Sequence, residues 1–172
     1  MQLITRMIIK KAHINDLEGI MSMYSSCVKG MIENNIDQWD DTYPNSNVIK
    51  EDIKAGTYFI AIINKKIIGG INIDQKQDKT YLTIKWLNNT NLFLVVHRLA
   101  VKKEYWQKKI GKKLMLFAEE LAKKKKFNSV RLDTNSGNPK AMLFYKKLGY
   151  RLLGEINLKP GKNEYYCFEK IL

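Results

Sequence analysis

The stretch at residues 104–113, EYWQKKIGKK, has the composition of an anion-binding site at the start of a helix. Free backbone N–H groups and the helix dipole both attract negative charge at such a helix start. Gly111 lets a ligand approach the backbone closely. Six lysines add positive charge in or beside this stretch, at positions 102, 103, 108, 109, 112 and 113. The pattern predicts a site for a phosphorylated ligand, although a plain helix start can look the same.

A tyrosine further along the chain could act as a proton donor. The stretch 138–150, NPKAMLFYKKLGY, predicts a short helix that carries Tyr145. A positioned phenol can hydrogen-bond a leaving group and give it a proton. The alternative is that Tyr145 packs in the core beside Met142 and Leu148, at ordinary helical spacing.

One histidine is a candidate general base. His97 is the only titratable base on the strand-like stretch 92–101, and alternation places it on the same face as Leu99. A structural histidine is the alternative role. Asp133 on the next predicted strand is a second candidate base, or else an ion-paired residue next to Arg131.

The elements that must position these residues alternate between strand and helix patterns. In chain order they predict a strand at 7–11, a helix capped by Asn15, a short helix within 31–46, a helix from Ser46 or Asn47 to about Gly56, a hairpin of 58–63 and 67–73, a short strand at 81–86, a strand at 92–101, a helix at about 110–125, a strand at 129–134, a helix at 139–148, and strands at 150–156 and 165–171. A mixed α/β sheet with helices on its faces is the natural packing for this order.

Length and composition predict one globular domain. The chain has 172 residues, of which 45% are hydrophobic and 27% charged, so it can bury one proper core. No apolar stretch approaches the roughly 20 residues of a membrane span, which excludes a spanning protein. Cys27 and Cys167 give no disulfide framework, so we expect a cytoplasmic protein. Their spacing fits no metal site. The domain is expected to span residues 1–172, with residues 1–6 as a disordered extension.

The net charge of +13 raises the question of nucleic-acid binding. The basic residues are nearly all lysine, since arginine occurs only at positions 6, 98, 131 and 151. Arginine is the better reader of bases, and no repeat of basic and aromatic residues suggests a stacking platform. The lysines around residues 102–113 fit a polyanionic cofactor better.

The sequence LAVKKEYWQKKIGKKLMLFAEELA, beginning at Leu99, resembles the acetyl-CoA-binding motif of the GNAT superfamily of N-acetyltransferases. That motif runs from a strand ending in Leu-x-Val into a turn of the form Arg/Gln-x-x-Gly-x-Gly/Ala. Leu99 and Val101 match the strand end, and Gly111 matches the turn. Trp106 stands where Arg or Gln is expected, and Lys109 stands where the first glycine is expected. Lys109 fits there only with a negative φ or a shifted loop.

The stretch NPKAMLFYKKLGY resembles the second signature of the same family. Asn138, Ala141, Tyr145, Gly149 and Tyr150 all fall in register with it. The resemblance implies that the asparagine contacts the pantetheine arm, and that the tyrosine hydroxyl can donate a proton to the leaving thiolate.

The resemblance implies a fold, an activity and a set of cofactor contacts. The fold is a mostly antiparallel sheet with one splayed parallel pair, flanked by helices, and the pantetheine arm enters between the splayed strands. The activity is transfer of an acetyl group from acetyl-CoA to a primary amine by direct attack in a ternary complex. The implied cofactor-binding residues are Leu99, Ala100, Val101, Trp106, Gln107, Lys108, Lys109, Ile110, Gly111, Lys112, Asn138, Ala141 and Tyr145. Tyr145 and His97 are the expected catalytic pair, with backbone N–H groups near Leu99 to Val101 stabilising the oxyanion.

The acceptor is expected to be an amine, with a small molecule favoured over a protein. Family resemblance places acceptor recognition in the first helices and their loop, here ENNIDQWDDTYP, the most acidic and aromatic stretch of the chain. Residues that could hold a cationic amine are Glu33, Asp37, Trp39, Asp40, Asp41 and Tyr43. The alternative is a solvated acidic loop with Trp39 covering the core.

Two other functions compete with transfer. Trp106 and Lys109 would suit a regulatory module that binds acyl-CoA without turnover, whereas Asn138 and Tyr145 argue for catalysis. Polyanion or RNA binding through the lysines would depend steeply on salt and ignore acetyl-CoA. Dimers are common among similar proteins, so a homodimer is one assembly that the resemblance allows.

Overall fold

The computed structural model describes residues 6–172 and contains seven strands and four α-helices in that range. In chain order they are β1 (Ile8–Lys11), α1 (Leu17–Glu33), α2 (Ser46–Lys54), β2 (Tyr58–Ile63), β3 (Lys66–Asp74), β4 (Phe93–Val101), α3 (Ile110–Lys124), β5 (Ser129–Asn135), α4 (Pro139–Lys147), β6 (Arg151–Ile156) and β7 (Tyr165–Ile171). The extension expected over residues 1–6 lies, except for its last residue, outside the described range.

The strands form one sheet in the order β1-β2-β3-β4-β5-β7-β6. β4 and β5 are parallel, whereas β1–β2, β2–β3, β5–β7 and β6–β7 are antiparallel. The parallel register joins only four residue pairs, from Phe93 with Ser129 to Val96 with Leu132. β5 continues beyond that point as far as Asn135 and pairs there with β7. The predicted mixed α/β sheet is confirmed.

The chain divides into two compact units. The first contains the residues up to Asn35, then 39–73 and 98–117; the second contains 36–38, 74–97 and 118–172. The prediction that residues 1–172 are one domain stays a prediction.

In the first unit, two tyrosines link α1 to the sheet. Tyr58 on β2 is fully buried and donates a hydrogen bond to the hydroxyl of Tyr24 on α1, at 2.8 Å. Tyr24 in turn donates to the backbone oxygen of Arg98 on β4, at 2.7 Å. Gly70 on β3 leaves room for these two hydrogen-bonded hydroxyls, because a Cβ at that position would collide with the Tyr58 hydroxyl. The tyrosine pair therefore connects the helix to the end of β4.

In the second unit, a buried ion pair joins β5, β7 and the segment before β4. The Nε atom of Arg131 lies 2.9 Å from Oε1 of Glu169, and both side chains are almost fully buried. Glu169 also accepts hydrogen bonds from Ser129 Oγ and from the backbone N–H groups of Leu87 and Asn88. The Arg131 guanidinium donates to the backbone oxygen of Asn88 at 2.7 Å. These bonds satisfy both charges and hold the segment against the sheet.

Aromatic rings cover the same guanidinium. Its central carbon lies 3.9 Å from the ring centroid of Phe93 and 4.4 Å from that of Trp86. The Trp86 indole N–H donates to the backbone oxygen of Tyr81 at 2.9 Å. The ion pair is thereby connected to Tyr81, which is 1% exposed and packs with Phe93 and Cys167.

Most predicted elements are confirmed. The predicted cap of α1 is wrong, because Asn15 lies inside a 3-10 turn at Ile14–Asp16 and the helix follows Asp16. Three other details are also wrong. No helix forms between α1 and α2, because α1 runs to Glu33 and Asn35 then adopts a left-handed φ of 57°. α2 is capped by Asn45, whose side chain accepts from the Val48 N–H, and not by Ser46 or Asn47.

The third error is the short strand predicted at 81–86. Residues Lys79–Thr83 form a 3-10 turn instead. The Asp78 side chain accepts hydrogen bonds from the backbone N–H and hydroxyl of Thr80, at 2.9 and 2.8 Å. Such a local side-chain bond stabilises a turn in preference to a strand.

Glu169→Gln should lower the free energy of unfolding by about 3–5 kcal/mol, because it leaves the buried Arg131 charge uncompensated. Chemical denaturation of the variant and of the wild-type protein measures this difference. Glu120→Gln is the matched control, since its ion pair with Lys123 is exposed and contributes about 0–1 kcal/mol. Equal effects of the two substitutions would contradict the central role of the buried pair.

Candidate functional site

The first unit contains a turn that can present backbone N–H groups to an anion. After β4 and a 3-10 turn at Lys103–Tyr105, Gln107 and Lys109 both adopt a left-handed φ of 62°. Left-handed residues within such a turn direct successive N–H groups to one side. The first N–H groups of α3, which begins at Ile110, have no partner within the helix. The turn therefore fits a phosphate group.

The conformation of Lys109 corrects one expectation. Its φ is positive, whereas the sequence predicted a negative φ or a shifted loop. Lys109 thus keeps a backbone shape that favours glycine, at a conformational cost of about 1–2 kcal/mol. The side chains of Lys108, Lys109 and Lys112 are exposed, so their ammonium groups are accessible to an anion.

The Trp106 side chain stabilises this turn through contacts within the first unit. Its indole N–H donates to the backbone oxygen of Val101 at 2.7 Å. Its ring packs on α1 at Gly30, where an added Cβ would lie only 2.6 Å from the ring. The residue that departs from the family motif therefore fixes the end of β4 through its side chain.

Polar contacts between α1 and the 3-10 turn support the same region. The Lys103 N–H donates to Ser26 Oγ at 3.0 Å, and that hydroxyl donates to Glu104 at 3.0 Å. The Lys103 ammonium pairs with Glu33. This ammonium lowers the pKa of the Glu33 carboxyl group. Glu33, predicted to bind the acceptor, is paired in this structure with a residue beside the turn, and its role toward an amine stays a prediction.

The last residues of β4 follow an irregularity in the strand. Arg98 adopts a left-handed φ of 53°, and its guanidinium lies 2.6 Å from the Asp52 carboxylate. This left-handed residue interrupts the strict alternation between His97 and Leu99 on which the face assignment from the sequence depended. Ala100, between those two residues, is buried.

The remaining predicted acceptor residues of the first unit contact α1, β4 or their own segment. The Trp39 ring meets the edge of Tyr24 at 5.7 Å between centroids. The Asp40 carboxylate accepts from the N–H and hydroxyl of Thr42, at 2.8 and 2.6 Å. The Tyr43 hydroxyl accepts from Arg98 at 3.2 Å. Their roles toward an amine stay predictions.

In the second unit, α4 is positioned by its capping residue. The Asn138 side-chain oxygen accepts from the Ala141 N–H at 3.1 Å, and Pro139 occupies the first turn. The Asn138 amide also donates to Gln38 at 2.9 Å. Both polar atoms of this side chain therefore already have protein partners.

Tyr145 on α4 is 7% exposed and lies among aromatic rings, with Tyr150 and Phe168 at 6.1 and 5.9 Å between centroids. Burial and the nearby Asp133 carboxylate raise its pKa above the ordinary range for tyrosine. Its hydroxyl donates no hydrogen bond to any of the residues 6–172. The result is a protonated phenol available to a ligand.

Asp133 on β5 is the centre of a group of titratable side chains. The Tyr81 hydroxyl donates to its Oδ2 atom at 2.5 Å. Burial raises the pKa of the Asp133 carboxyl, although its surface stays partly accessible. Burial, followed by the effect of this carboxylate, raises the pKa of the Cys167 thiol to about 12.

His97 is bound through one ring nitrogen. Its Nε2 atom lies 2.9 Å from the backbone oxygen of Lys76 and 3.1 Å from Oδ1 of Asp74. Because a carbonyl oxygen only accepts, these contacts assign a hydrogen to Nε2. Its predicted role as a base is untested by this arrangement.

Sequence reasoning missed Tyr81 as a partner of the site. The residues around it were interpreted as a strand, which gave no reason to connect them to Asp133. The Asp-x-Thr motif at Asp78 was the available signal, since it favours a capped turn.

Within residues 6–172, no group of three His, Cys, Asp or Glu side chains is arranged to hold a metal ion. None of the helices in the same range is both long and apolar enough to cross a bilayer.

Comparison with known proteins agrees with the fold and with the two signatures. A model of the acetyltransferase (GNAT) family matches residues 20–150, which is more than half of the sequence. The chain belongs to the GNAT family of acetyltransferases.

Three relatives illustrate the likeness. A spermidine N(1)-acetyltransferase from Thermoplasma acidophilum is 27% identical over 155 residues, covering 84% of this chain and 88% of the relative. The crystal structure of a GNAT-family acetyltransferase from Streptococcus agalactiae has a TM-score of 0.82 at 25% identity, with 99% of both chains covered. The PaiA N-acetyltransferase of Thermoplasma acidophilum, crystallised in complex with coenzyme A, has a TM-score of 0.71 at 23% identity, covering 97% of this chain and 99% of that one. The GNAT fold predicted from the sequence is confirmed.

Lys109→Gly should leave the protein about 1 kcal/mol more stable than Lys108→Gly. Glycine relieves the left-handed backbone at Lys109, whereas at Lys108, whose φ is not positive, it adds only unfolded-state entropy. Denaturant titration of the two variants measures the difference, and both remove one lysine from the same turn. A larger loss of stability in Lys109→Gly would contradict the backbone description.

Proposed function

We propose that this protein transfers an acetyl group from acetyl-CoA to a primary amine by direct attack in a ternary complex. The observation that carries the proposal is the Tyr145 hydroxyl, which is buried with its proton and donates no hydrogen bond within residues 6–172. Family membership supports the reaction class, and the turn before α3 supports a phosphorylated co-substrate.

The phosphates are assigned to the turn of the first unit. Backbone N–H groups of Gln107 to Lys112 would bind them, with Lys108, Lys109 and Lys112 adding positive charge. Trp106 would support this turn through its hydrogen bond to the Val101 backbone oxygen. Backbone N–H groups from Leu99 to Val101 would polarise the thioester carbonyl, because developing oxyanions are stabilised by fixed donors.

At the thioester end, the roles fall to residues of the second unit. Asn138 and Ala141 would contact the pantetheine arm, with Asn138 also capping the helix that carries Tyr145. The raised pKa keeps the Tyr145 phenol protonated at the pH of the reaction. It would therefore stabilise the leaving thiolate by donating a hydrogen bond. His97 remains the base proposed from the sequence.

Neither cysteine is suited to carry the acetyl group. Burial raises the pKa of Cys27 to about 11 and that of Cys167 to about 12, so both stay thiols near neutral pH. The thiolate is the reactive form of cysteine. This supports direct attack by the amine without an acyl-enzyme.

A small polyamine is the first acceptor to test. The relative named for spermidine acetylation covers 84% of this chain. The distal ammonium groups of a polyamine would then contact the acidic and aromatic side chains predicted for an amine, which are Glu33, Trp39, Asp40 and Tyr43. Glu33, Asp40 and Tyr43 would have to give up their present contacts to do so.

The proposal is tested by calorimetric titration with acetyl-CoA, followed by thiol-release assays over a panel of amines that starts with spermidine. Saturable binding and amine-dependent release of CoA are expected. Saturable binding without release for every amine would favour a non-catalytic acyl-CoA module. An absence of binding, with salt-sensitive RNA binding in its place, would favour the polyanion function.

Tyr145→Phe should lower kcat by about 10²-fold while leaving the Kd for acetyl-CoA nearly unchanged, because it removes only the donor to the thiolate. Steady-state kinetics and calorimetry measure the two quantities. Tyr150→Phe is the matched control, since it removes another buried hydroxyl, which donates to Glu119. An unchanged kcat in Tyr145→Phe would eliminate this role.

The double variant Cys27→Ala with Cys167→Ala should keep amine acetylation, with initial-rate plots that intersect as expected for a ternary complex. Loss of transfer in a protein whose folding is intact by circular dichroism, or parallel initial-rate plots, would indicate an acyl-cysteine and contradict direct attack.

A further inference from the structure

We infer that Asp133 accepts the proton from the attacking amine, and that Tyr81 positions its carboxylate for this step. The inference rests on the proposed transferase function and names a base other than His97. It depends on the contacts of β5 with the 3-10 turn at Lys79–Thr83, all within the second unit.

The hydrogen bonding of Asp133 leaves one side of the carboxylate open. Tyr81 donates to Oδ2, and this is the only hydrogen bond to that carboxylate within residues 6–172. Tyr81 is 1% exposed and held by Trp86, so its hydroxyl has little freedom to turn away. The Oδ1 atom therefore keeps its lone pairs for a proton from a ligand.

Asp133 lies on β5 just beyond the point where the pairing of β5 with β4 ends. It is the first residue after Leu132, the last one in register with β4. On its other side it pairs with Cys167 of β7, a buried thiol. Asp133 as a residue is partly accessible, whereas its neighbours are largely buried. A base that receives a proton from a bound amine needs this combination of enclosure and access.

Charged and titratable groups surround Asp133 from several elements. They are Tyr81 and Asp78 from the 3-10 turn and its cap, His97 from β4, Tyr145 from α4 and Cys167 from β7. Burial and Asp78 raise the pKa of Asp133, whereas the Tyr81 hydrogen bond and His97 lower it. A carboxylate with a raised pKa is a stronger base than an exposed one.

His97 fits a supporting role better. Its Nε2 hydrogen is shared between Asp74 and the backbone oxygen of Lys76, and it acts on Asp133 through its charge. In the proposed step, the amine lone pair forms the N–C bond with the thioester carbonyl carbon. The nitrogen gives a proton to Asp133, which passes it to solvent. The C–S bond breaks, and the sulfur leaves as a thiolate hydrogen-bonded to Tyr145 before it takes a proton from water.

The test compares kcat against pH for three variants, Asp133→Asn, Tyr81→Phe and His97→Gln. The probe is acetyl-CoA with spermidine, or with the best amine of the panel if spermidine is not acetylated. Asp133→Asn should lower kcat by about 10²-fold or more and remove the acidic limb of the profile. Tyr81→Phe should move that limb to higher pH, because the carboxylate loses a bond that stabilises its ionised form. His97→Gln should keep the limb, shifted in the same direction.

Matched controls come from a second tyrosine–carboxylate pair of the chain. The Tyr150 hydroxyl donates to Glu119 at 3.2 Å, and both side chains are buried. Tyr150→Phe and Glu119→Gln should leave the acidic limb where the wild-type protein has it. A shift caused by the control pair as large as that of Tyr81→Phe would overturn the positioning role of Tyr81.

The outcomes separate this inference from the proposed function. If the wild-type protein turns over but the limb survives in Asp133→Asn and disappears in His97→Gln, Asp133 is not the base. If the wild-type protein releases no CoA with any amine, the transferase function itself fails, and the assignment of a base fails with it.

Discussion

The buried ion pair of Arg131 with Glu169 is the interaction on which the second unit depends. It satisfies two charges in a region from which water is excluded, where an unpaired charge would be very unfavourable. Because Glu169 also accepts the N–H groups of Leu87 and Asn88, the pair fixes an irregular segment directly against β5 and β7. The rings of Trp86 and Phe93 pack on the Arg131 guanidinium, and the Trp86 indole N–H donates to the backbone oxygen of Tyr81. The ion pair is therefore linked to the position of Tyr81.

The partner of the candidate base, Tyr81, is positioned by that arrangement, whereas the candidate acid has separate support. Tyr81 reaches Asp133 from a 3-10 turn, so its placement relies on the hydrogen bonds of that turn and on side-chain contacts. Tyr145 is held differently, by the Asn138 cap of α4 and by neighbouring rings. In the first unit, Trp106 and the tyrosine chain of Tyr24 and Tyr58 give comparable support to the end of β4.

Hydrophobic periodicity was enough to predict β4, α3, β5 and α4, because their patterns agree with their local propensities. It failed at residues 81–86, where an Asp78 cap and a buried tyrosine outweigh an alternating pattern. The two signatures located the family and the turn before α3, but the left-handed φ of Lys109 could not be predicted. Lysine disfavours that conformation, and only the surrounding fold imposes it. The hydrogen bond from Tyr81 to Asp133 could not be predicted either, since the two residues are 52 positions apart in the sequence.

The most direct test of the central claim is the stoichiometry of products from acetyl-labelled acetyl-CoA and an excess of amine, measured by mass spectrometry on the purified protein. Direct transfer predicts one labelled amide for each molecule of free CoA. Release of CoA with labelled acetate and no amide would contradict the account, because water and not an amine would then be the acceptor. Intact acetyl-CoA with every amine would also contradict it, since no acetyl group would then have been transferred.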